Sequence, residues 1–332
     1  MQDISIPVAF VHAVLKHAPG HGIDTERALH RSGIPPRVLL DDGARITARA
    51  YADLQTVVMR EMNDELLGYT AAPMPLGSGA AMAHWMIHAR TLGRALRRYG
   101  LFHDLVGCGL SPRLLTDGEH ARLRFETGTQ PPAPYAFELV MFGIHRFSCW
   151  LTGRHLRLVE ASLSYPAPAH LREYRGIFLG APTRFGQPFN ELVFARDALQ
   201  TPIHQDQAAL EAFLRHPQRN LLQGGYPLPS WISRTRALLR QHLTRSPTMA
   251  ELAVRLDVSP KQLRNHLANE GIGYGELKEQ LRRDVAMQHL ASRDNSVEDV
   301  AYLAGFSEAS AFIRAFRRWT GHTPFAYRRK FY

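Results

Sequence analysis

Residues 296–321 read SVEDVAYLAGFSEASAFIRAFRRWTG, a stretch that carries the signals of two short helices and a tight turn. Ser296 followed by Asp299 is the pattern of a capping box, in which each side chain accepts a hydrogen bond from a free backbone N–H. The apolar residues that follow recur at helical spacing: Val297, Val300 and Leu303. Gly305 stands where the first helix must end, because glycine adopts positive φ without a steric clash of Cβ. Ser307 is predicted to cap the second helix.

The second predicted helix has two chemically different faces. Its apolar face, which we expect to be buried, carries Phe312, Phe316 and Trp319. Its outer face carries small residues, one apolar residue and arginine: Ala309, Ser310, Ile313, Arg314 and Arg317. Small side chains let a helix approach the floor of the DNA major groove, and Arg can donate two hydrogen bonds to guanine. The pattern favours a DNA-reading helix, with an ordinary helical hairpin that exposes a basic face as the alternative.

The whole pattern occurs twice. Residues 248–259 read TMAELAVRLDVS and align position by position with SVEDVAYLAGFS, which lies 48 residues further on. Asp257 takes the place of the glycine, and Asp tolerates the left-handed conformation better than most residues. Pro260 suits the first position of the next helix. The inward positions of that helix are Leu263 and Leu267, and the outward positions are Lys261, Arg264 and Asn265. A repeat of a complete supersecondary unit supports two helix-turn-helix units over an isolated hairpin.

A single helix is predicted between the two units. Leu277, Leu281 and Val285 recur at intervals of four within residues 275–294, which predicts one buried stripe along one rigid element. Such a connector can hold two reading helices about 34 Å apart, so that they enter successive turns of the major groove.

The C-terminal part of the chain resembles the DNA-binding domain of the AraC/XylS family of transcription regulators. The resemblance rests on the two joined units and on AGFSEASAFIRAFRRWTGHTPFAYR at 304–328. It implies an all-α domain over 230–332, with helix-turn-helix units at about 248–270 and 296–320, and double-stranded promoter DNA as the partner. Carried over by position, the implied base-reading residues are Lys261, Arg264 and Asn265 in the first unit and Ala309, Ser310 and Arg314 in the second, with Arg317 on the same outer face. Asn265 stands where the family often has a basic residue.

The preceding residues, 1–205, are predicted to form an α+β domain. Helical patterns come first, beginning at residues 4–18, and strand patterns mixed with helices follow. Residues 114–125 read as a hairpin with Asp117-Gly118 at its turn, a type I′ signal. Residues 206–229 are predicted to hold a short helix and then a linker rich in Gly and Pro.

Two stretches of this first domain carry a second resemblance. SYPAPAH at 164–170 and FGQPFNELVF at 185–194 are similar to the arabinose-binding-like effector domain of one AraC/XylS branch. The resemblance implies a domain that senses a small organic effector (an amino acid, a catabolite or a lipid) and forms homodimers. It implies no particular ligand-binding residues, because regulators in this branch respond to varied effectors.

Charge is unevenly distributed along the 332 residues, whose net charge is +10. Residues 230–332 carry 17 Lys and Arg against 10 Asp and Glu, whereas the rest of the chain carries 23 against 20. A basic excess confined to the repeat region is the electrostatic pattern expected for a polyanionic partner. Cys108 and Cys149 are expected to be buried free thiols. A basic signal-peptide start and a membrane-length apolar run are both missing from the sequence, so we expect a cytoplasmic protein with no membrane partner.

Other chemistry finds little support in the sequence. His84 and His88 have the spacing of two metal ligands on one helix, but no third ligand accompanies them, and core or pocket-lining histidines are the simpler interpretation. The Gly-containing turns near residues 77–79 and 107–109 lack the context of a nucleotide site. The sequence therefore predicts no enzyme activity, no catalytic residues, no metal and no cofactor.

The hypothesis that follows is a sequence-specific DNA-binding transcription regulator. Within the family it resembles, this implies an effector-responsive activator of a nearby catabolic or lipid-related operon, with RNA polymerase as a further partner. Two alternatives are an enzyme fused to a DNA anchor and a module that binds other proteins through helix pairs. A steep salt dependence of affinity for duplex DNA distinguishes DNA binding from the last of these.

Overall fold

A computed structural model of the chain describes residues 5–128, 131–168, 173–223, 231–270, 272–292 and 294–331. Parts of the sequence that entered the predictions lie outside these ranges, among them the end of SYPAPAH, the Gly- and Pro-rich part of the linker, and Ser230. The chain divides into two compact units: Met1–Leu15, Asp24–Leu54 and Pro229–Tyr332 form the first, and Lys16–Ile23 and Gln55–Leu228 form the second. The N-terminal segments thus share a unit with the C-terminal helices, which differs from the boundaries expected at 205 and 229.

The N-terminal part of the first unit begins with a strand. Its elements are β1 Ser5–Pro7, α1 Val8–Leu15, α2 Thr25–Arg31, β2 Arg45–Thr47 and the start of α3 Ala48–Met62. The prediction of one helix across residues 4–18 was wrong for its first turn, because Ser5–Pro7 pairs antiparallel with Arg45–Thr47. The Arg45 guanidinium donates to the Ser5 hydroxyl at 2.8 Å and to the Ser5 carbonyl at 2.7 Å, which holds this segment extended.

Polar contacts join these N-terminal segments to the C-terminal helices of the same unit. The Tyr327 hydroxyl accepts from the Arg45 N–H at 3.2 Å and donates to the Arg45 carbonyl at 3.1 Å. The Ser5 N–H donates to Asp284 Oδ1 at 2.9 Å. Asp41 forms an ion pair with Lys330 Nζ at 3.0 Å and a hydrogen bond with His322. The hydrogen bonds from Lys330 and His322 outweigh burial and lower the pKa of the Asp41 carboxyl. These bonds explain why the first unit is discontinuous in sequence.

The C-terminal part of the first unit is all-α, as predicted. Its helices are α10 Trp231–Gln241, α11 Met249–Arg255, α12 Pro260–Asn269, α13 Tyr274–Leu290, α14 Val297–Leu303, α15 Ala309–Thr320 and α16 Pro324–Phe331. α11 and α12 contact each other, as do α14 and α15, and α13 lies between the two pairs in the chain and contacts α10 and α14. The predicted order of two helix pairs joined by one helix is confirmed.

The second unit is built on a five-stranded sheet. Its strands are β3 Leu110–Asp117, β4 His120–Thr127, β5 Leu158–Ser162, β6 Thr183–Arg184 and β7 Glu191–Ala195. They lie in the order β3-β4-β7-β5-β6, and every pairing is antiparallel except that of β5 with β6. The predicted hairpin is confirmed, but its central residues are Gly118 and Glu119, and positive φ occurs only at Gly118. A type I′ turn needs positive φ at both positions, so that detail was wrong.

Helices complete the second unit, which has the predicted α+β composition. They are α4 Ser78–Ile87, α5 Leu92–Val106, α6 Pro134–Thr152, α7 Tyr174–Ile177, α8 Gln207–Leu214 and α9 Pro217–Gln223, with the end of α3. α6 supplies much of a continuous apolar core that also draws on α5 and the inner strands. α9 occupies part of the predicted linker, because Pro217 suits a helix start and the Asn220 side chain donates to the Phe213 carbonyl at 2.7 Å. Within the described residues, no helix has the length and apolarity needed to cross a membrane.

Candidate nucleic-acid interface

Three of the four helices in the repeat begin with a capping box. In the second pair the Asp299 N–H donates to Ser296 Oγ at 3.0 Å, and the Ser296 N–H donates to Asp299 Oδ2 at 2.9 Å. Thr248 with Glu251 starts α11 in the same way, and Ser259 with Gln262 starts α12. Hydrogen bonds from the capping partner lower the pKa of both carboxyls, Asp299 and Glu251. These predicted helix starts are confirmed.

The fourth helix begins differently from the prediction. α15 starts at Ala309, its N-cap residue is Glu308, and no side chain caps it. The Ser310 hydroxyl instead donates to Glu308 Oε2 at 3.2 Å. The prediction that Ser307 caps this helix was therefore wrong by one residue.

The two turns adopt the same backbone conformation with different residues. Gly305 has φ +78°, and a Cβ atom there would lie 2.3 Å from the Leu243 carbonyl oxygen. Asp257, the matching residue of the first pair, has φ +57°. Glycine is thus required at the second turn by conformation and by close packing, whereas the first turn tolerates a side chain.

α15 presents its basic face outward, as predicted. Phe312 and Phe316 are fully buried, and their rings contact each other. On the opposite face Ser310, Arg314 and Arg317 are exposed, and Ala309 and Ile313 are half-buried. Trp319 is also half-buried, and its indole N–H donates to Glu279 Oε1 at 2.8 Å. The residues predicted to read bases in the second pair therefore share one accessible helix face.

α12 has the same division. Leu263 and Leu267 are fully buried, and the predicted base-reading residues Lys261, Arg264 and Asn265 are exposed. Across the described ranges, none of the basic groups of Lys261, Arg264, Arg314 and Arg317 forms an ion pair or a hydrogen bond. Both α12 and α15 thus carry cations that are available to an anionic partner.

The connector α13 joins the two pairs through half-buried cations. The Arg282 guanidinium donates to Ser246 Oγ at 2.7 Å and to the Gly305 carbonyl at 2.5 Å, and it lies over the Phe306 ring at 4.4 Å. Lys278 Nζ, one turn earlier, donates to the Ser246 and Pro247 carbonyls at 3.1 and 3.0 Å. Burial lowers the pKa of both cations, Lys278 and Arg282. The Arg282 side chain therefore links the segment just before α11 with the turn between α14 and α15.

Each of the helices α12 and α15 is also anchored by a carboxylate. Glu279 on α13 accepts from Arg318 and Trp319 on α15, and these bonds lower its pKa. Glu270, at the end of α12, accepts from the backbone N–H groups of Trp231 and Ile232 at 2.8 and 2.9 Å. The sequence analysis did not predict the anchoring roles of Glu270, Glu279 and Arg282. The only signal that the sequence offers for them is that they are charged residues near the apolar positions of these helices.

The remaining candidate residues show no catalytic arrangement. The His84 ring lies 3.2 Å from the Gln207 amide, and among the described residues no cluster of His, Cys, Asp and Glu could hold a metal ion. Cys108 and Cys149 are buried thiols that are not joined in a disulfide, as predicted. Burial raises the pKa of the Cys108 thiol, which disfavours the reactive thiolate form.

Comparison with known proteins identifies related sequences. Residues 22–203 match the family described as the arabinose-binding domain of AraC transcription regulator, N-terminal, and residues 252–330 match a helix-turn-helix domain. The chain is 26% identical over 326 residues to the ornithine utilization regulator of Pseudomonas aeruginosa, covering 97% of this chain and 96% of that one. It is 28% identical over 318 residues to the HTH-type transcriptional regulator VirS of Mycobacterium tuberculosis, covering 92% and 91%. The crystal structure of transcriptional regulator CdpR from Pseudomonas aeruginosa aligns at 21% identity over 96% of this chain and 98% of that chain, with a TM-score of 0.31.

Two helix-turn-helix pairs with exposed basic faces, joined to an α+β domain, define a DNA-binding transcription regulator. The N-terminal match alone covers more than half of the sequence. The chain belongs to the AraC family of transcription regulators.

Proposed function

We propose that this protein is an effector-responsive activator that reads promoter DNA with α12 and α15. The observation that carries the proposal is the pair of exposed basic helix faces held by one connector through Arg282. In this proposal the base-reading and phosphate-binding residues are Lys261, Arg264, Asn265, Ala309, Ser310, Arg314 and Arg317. A connector bonded to both pairs fixes the spacing between two reading helices, which is what two successive major-groove contacts require.

The proposed effector is a small organic molecule bound by the α+β region within residues 1–205. Support comes from the match of residues 22–203 to an effector domain and from a relative named for ornithine utilization. An amino acid or its catabolite is therefore the leading class, and a lipid is the alternative. The effector must have different affinities for two states of the protein, since a ligand with equal affinities shifts no equilibrium.

The proposed assembly is a homodimer that acts in the cytoplasm and contacts RNA polymerase at the promoter. In this proposal residues 1–205 sense the effector and dimerise, residues 206–229 form a short helix and a linker, and residues 230–332 read DNA. Dimerisation would place four reading helices on one promoter and make DNA binding cooperative.

The test is a genome-wide footprint of the purified protein on DNA from its own source, at two salt concentrations, with and without cell extract. We expect a few sharp sites, each with two protected blocks about one helical turn apart. Some genes beside these sites should serve the use of amino acids or lipids. A rise in their transcription when cell extract is added would support the activator role. Diffuse, salt-labile binding under every condition would contradict sequence-specific reading.

A further inference from the structure

The second unit contains an open cavity of about 330 Å³ whose wall is strongly basic. Three arginines line it: Arg90, Arg94 and Arg97. The rest of its lining comes from the start of α5 and from the segment before Thr201: Thr91, Gly93, Leu199 and Gln200. Its volume is at the lower end of the range typical of small-molecule sites.

The three arginines approach the cavity from one short stretch of chain. Arg94 and Arg97 are three residues apart on α5, so their side chains leave the helix in similar directions. Arg90 lies in the segment before α5 and lines the same cavity. All three are exposed. Over the ranges that the structure describes, none of their guanidinium groups forms an ion pair or a hydrogen bond. Placing three like charges together without a counterion is unfavourable, and a bound anion would relieve that repulsion.

Several other arginines of the same unit are paired. Arg113 binds Asp104 at 2.5 Å, and Arg122 and Arg124 bind the two oxygens of Glu191 at 2.7 and 3.0 Å. Arg98, the residue after Arg97, donates to the Trp85 carbonyl at 2.7 Å. The cavity arginines therefore differ from their neighbours in having no protein partner for their charge.

The backbone at the cavity adds further donors. Thr91 is the N-cap residue of the 15-residue helix α5, but its side chain makes no capping bond. The Leu92 N–H donates a hydrogen bond to the Thr201 carbonyl at 2.8 Å. The next two N–H groups, of Gly93 and Arg94, have no acceptor in the part of the chain described. Free N–H groups and the positive end of the helix dipole both favour an anion at this position.

The floor of the cavity is tightly packed. A Cβ atom on Gly93 would lie 3.2 Å from both Cβ and the carbonyl oxygen of Leu199. Leu199 is buried and therefore fixed in place. The arginines thus surround a defined concave surface, whereas an ordinary solvated patch is flat.

We infer that this cavity binds a small molecule with two or more negative charges, carried by phosphate or carboxylate groups. Guanidinium groups form paired, charge-assisted hydrogen bonds with both kinds of oxyanion. Each contact alone is weak because the arginines are exposed, and three converging on one ligand add their effects. The inference deepens the proposed function, on which it rests, by assigning an acidic chemical class to an effector.

The test is calorimetric titration of the full chain with pyrophosphate, citrate and acetate at constant ionic strength. We expect saturable binding of pyrophosphate or citrate, with acetate about tenfold weaker because it can satisfy fewer charge-assisted bonds. The tighter of the two polyanions identifies phosphate or carboxylate as the preferred group. Absence of saturable binding of both at millimolar concentration would overturn the inference.

Two variants and a matched control locate the site. Arg94→Gln combined with Arg97→Gln should weaken polyanion binding at least about tenfold, and Arg94→Gln alone should give an intermediate loss if the double variant folds poorly. Arg60→Gln removes an exposed charge from α3 in the same unit, outside the cavity, and should leave binding unchanged. Equal binding by all variants would overturn the inference, and displacement of citrate by a random DNA duplex would show a phosphate-backbone contact instead.

DNA footprinting of the same variants separates this inference from the proposed function. A double variant that loses polyanion binding but keeps sharp footprints supports both. If the wild-type chain binds polyanions but gives no sequence-specific footprints, only the proposed function is overturned.

Discussion

Because Gly305 has no side chain, the turn of the second helix pair can pack closely against Leu243. Gly305→Ala places a Cβ in a left-handed conformation and against the Leu243 carbonyl. We expect a loss of about 2–4 kcal/mol in the free energy of unfolding, from conformational strain and overpacking together. Urea unfolding followed by circular dichroism measures it.

Asp257→Gly is the matched control for that change, because Asp257 has the same backbone conformation at the first turn. We expect a change within about 1 kcal/mol, since the relief of left-handed strain is offset by the greater freedom of glycine in the unfolded chain. Equal losses for the two variants would show that the turns are not packed differently.

Arg314 is the residue whose exposed position on α15 best suits guanine recognition. Arg314→Ala should cost about 1–3 kcal/mol of binding free energy and relax specificity at one base pair. Quantitative footprinting on a site with single-base changes measures both effects. Arg329→Ala, which removes an exposed arginine from α16, is the control and should leave base preference intact. Uniform weakening on all sequences would mean that Arg314 contacts phosphate.

At the scale of elements, α13 determines how the two helix pairs are held. Arg282→Met keeps the apolar part of the side chain but leaves the Gly305 carbonyl and the Ser246 hydroxyl without their donor. We expect a loss of about 1–3 kcal/mol in unfolding free energy. We also expect unequal protection of the two blocks of a footprint, because the pairs are then held less rigidly.

Arg282→Lys serves as the comparison, since it keeps the charge but loses the planar guanidinium that lies over the Phe306 ring. An intermediate effect is expected in both measurements. Wild-type protection of both blocks by Arg282→Met would show that the spacing of the pairs does not depend on this side chain.

The helices of the repeat could be predicted because their signals are local. Each capping box joins residues three apart, and the left-handed turn at Gly305 follows from one residue type. The contacts of Arg282 could not be predicted, because Ser246 lies 36 residues away and no periodic pattern indicates it. The same holds for Tyr327 and Arg45, which are 282 residues apart. The basic cavity was also missed, since arginine spacing alone does not show which arginines lack a partner.

At the scale of the whole molecule, two buried histidines make stability depend on pH. Burial lowers the pKa of His103 to about 4 and that of His145 to about 3. The unfolded chain binds protons at these residues below about pH 6.5, while the folded chain does not. Stability is therefore fully present above that value and is lost as pH falls toward 4, by about 1.4 kcal/mol per histidine for each pH unit.

His103→Phe tests this assignment, because it keeps an aromatic ring beside Tyr99 and removes the titration. Urea unfolding at about pH 6.5 and pH 5 should show a smaller drop in the variant than in the wild type. An unchanged drop would mean that other groups carry the pH dependence. The measurement stays above the range in which most carboxyl groups titrate, so their contribution is small.

The attachment of Arg45 to Tyr327 also has a consequence for biosynthesis. The 282 residues between them take roughly 15–55 s to translate at typical bacterial and eukaryotic rates. The last residues of the second unit, Gln55–Leu228, are synthesised during that interval, so this unit can fold while the N-terminal strand has no C-terminal helix to bind. The DNA-reading unit is therefore completed last, although its first residues are synthesised first, and a nascent chain cannot engage a promoter with its native reading unit.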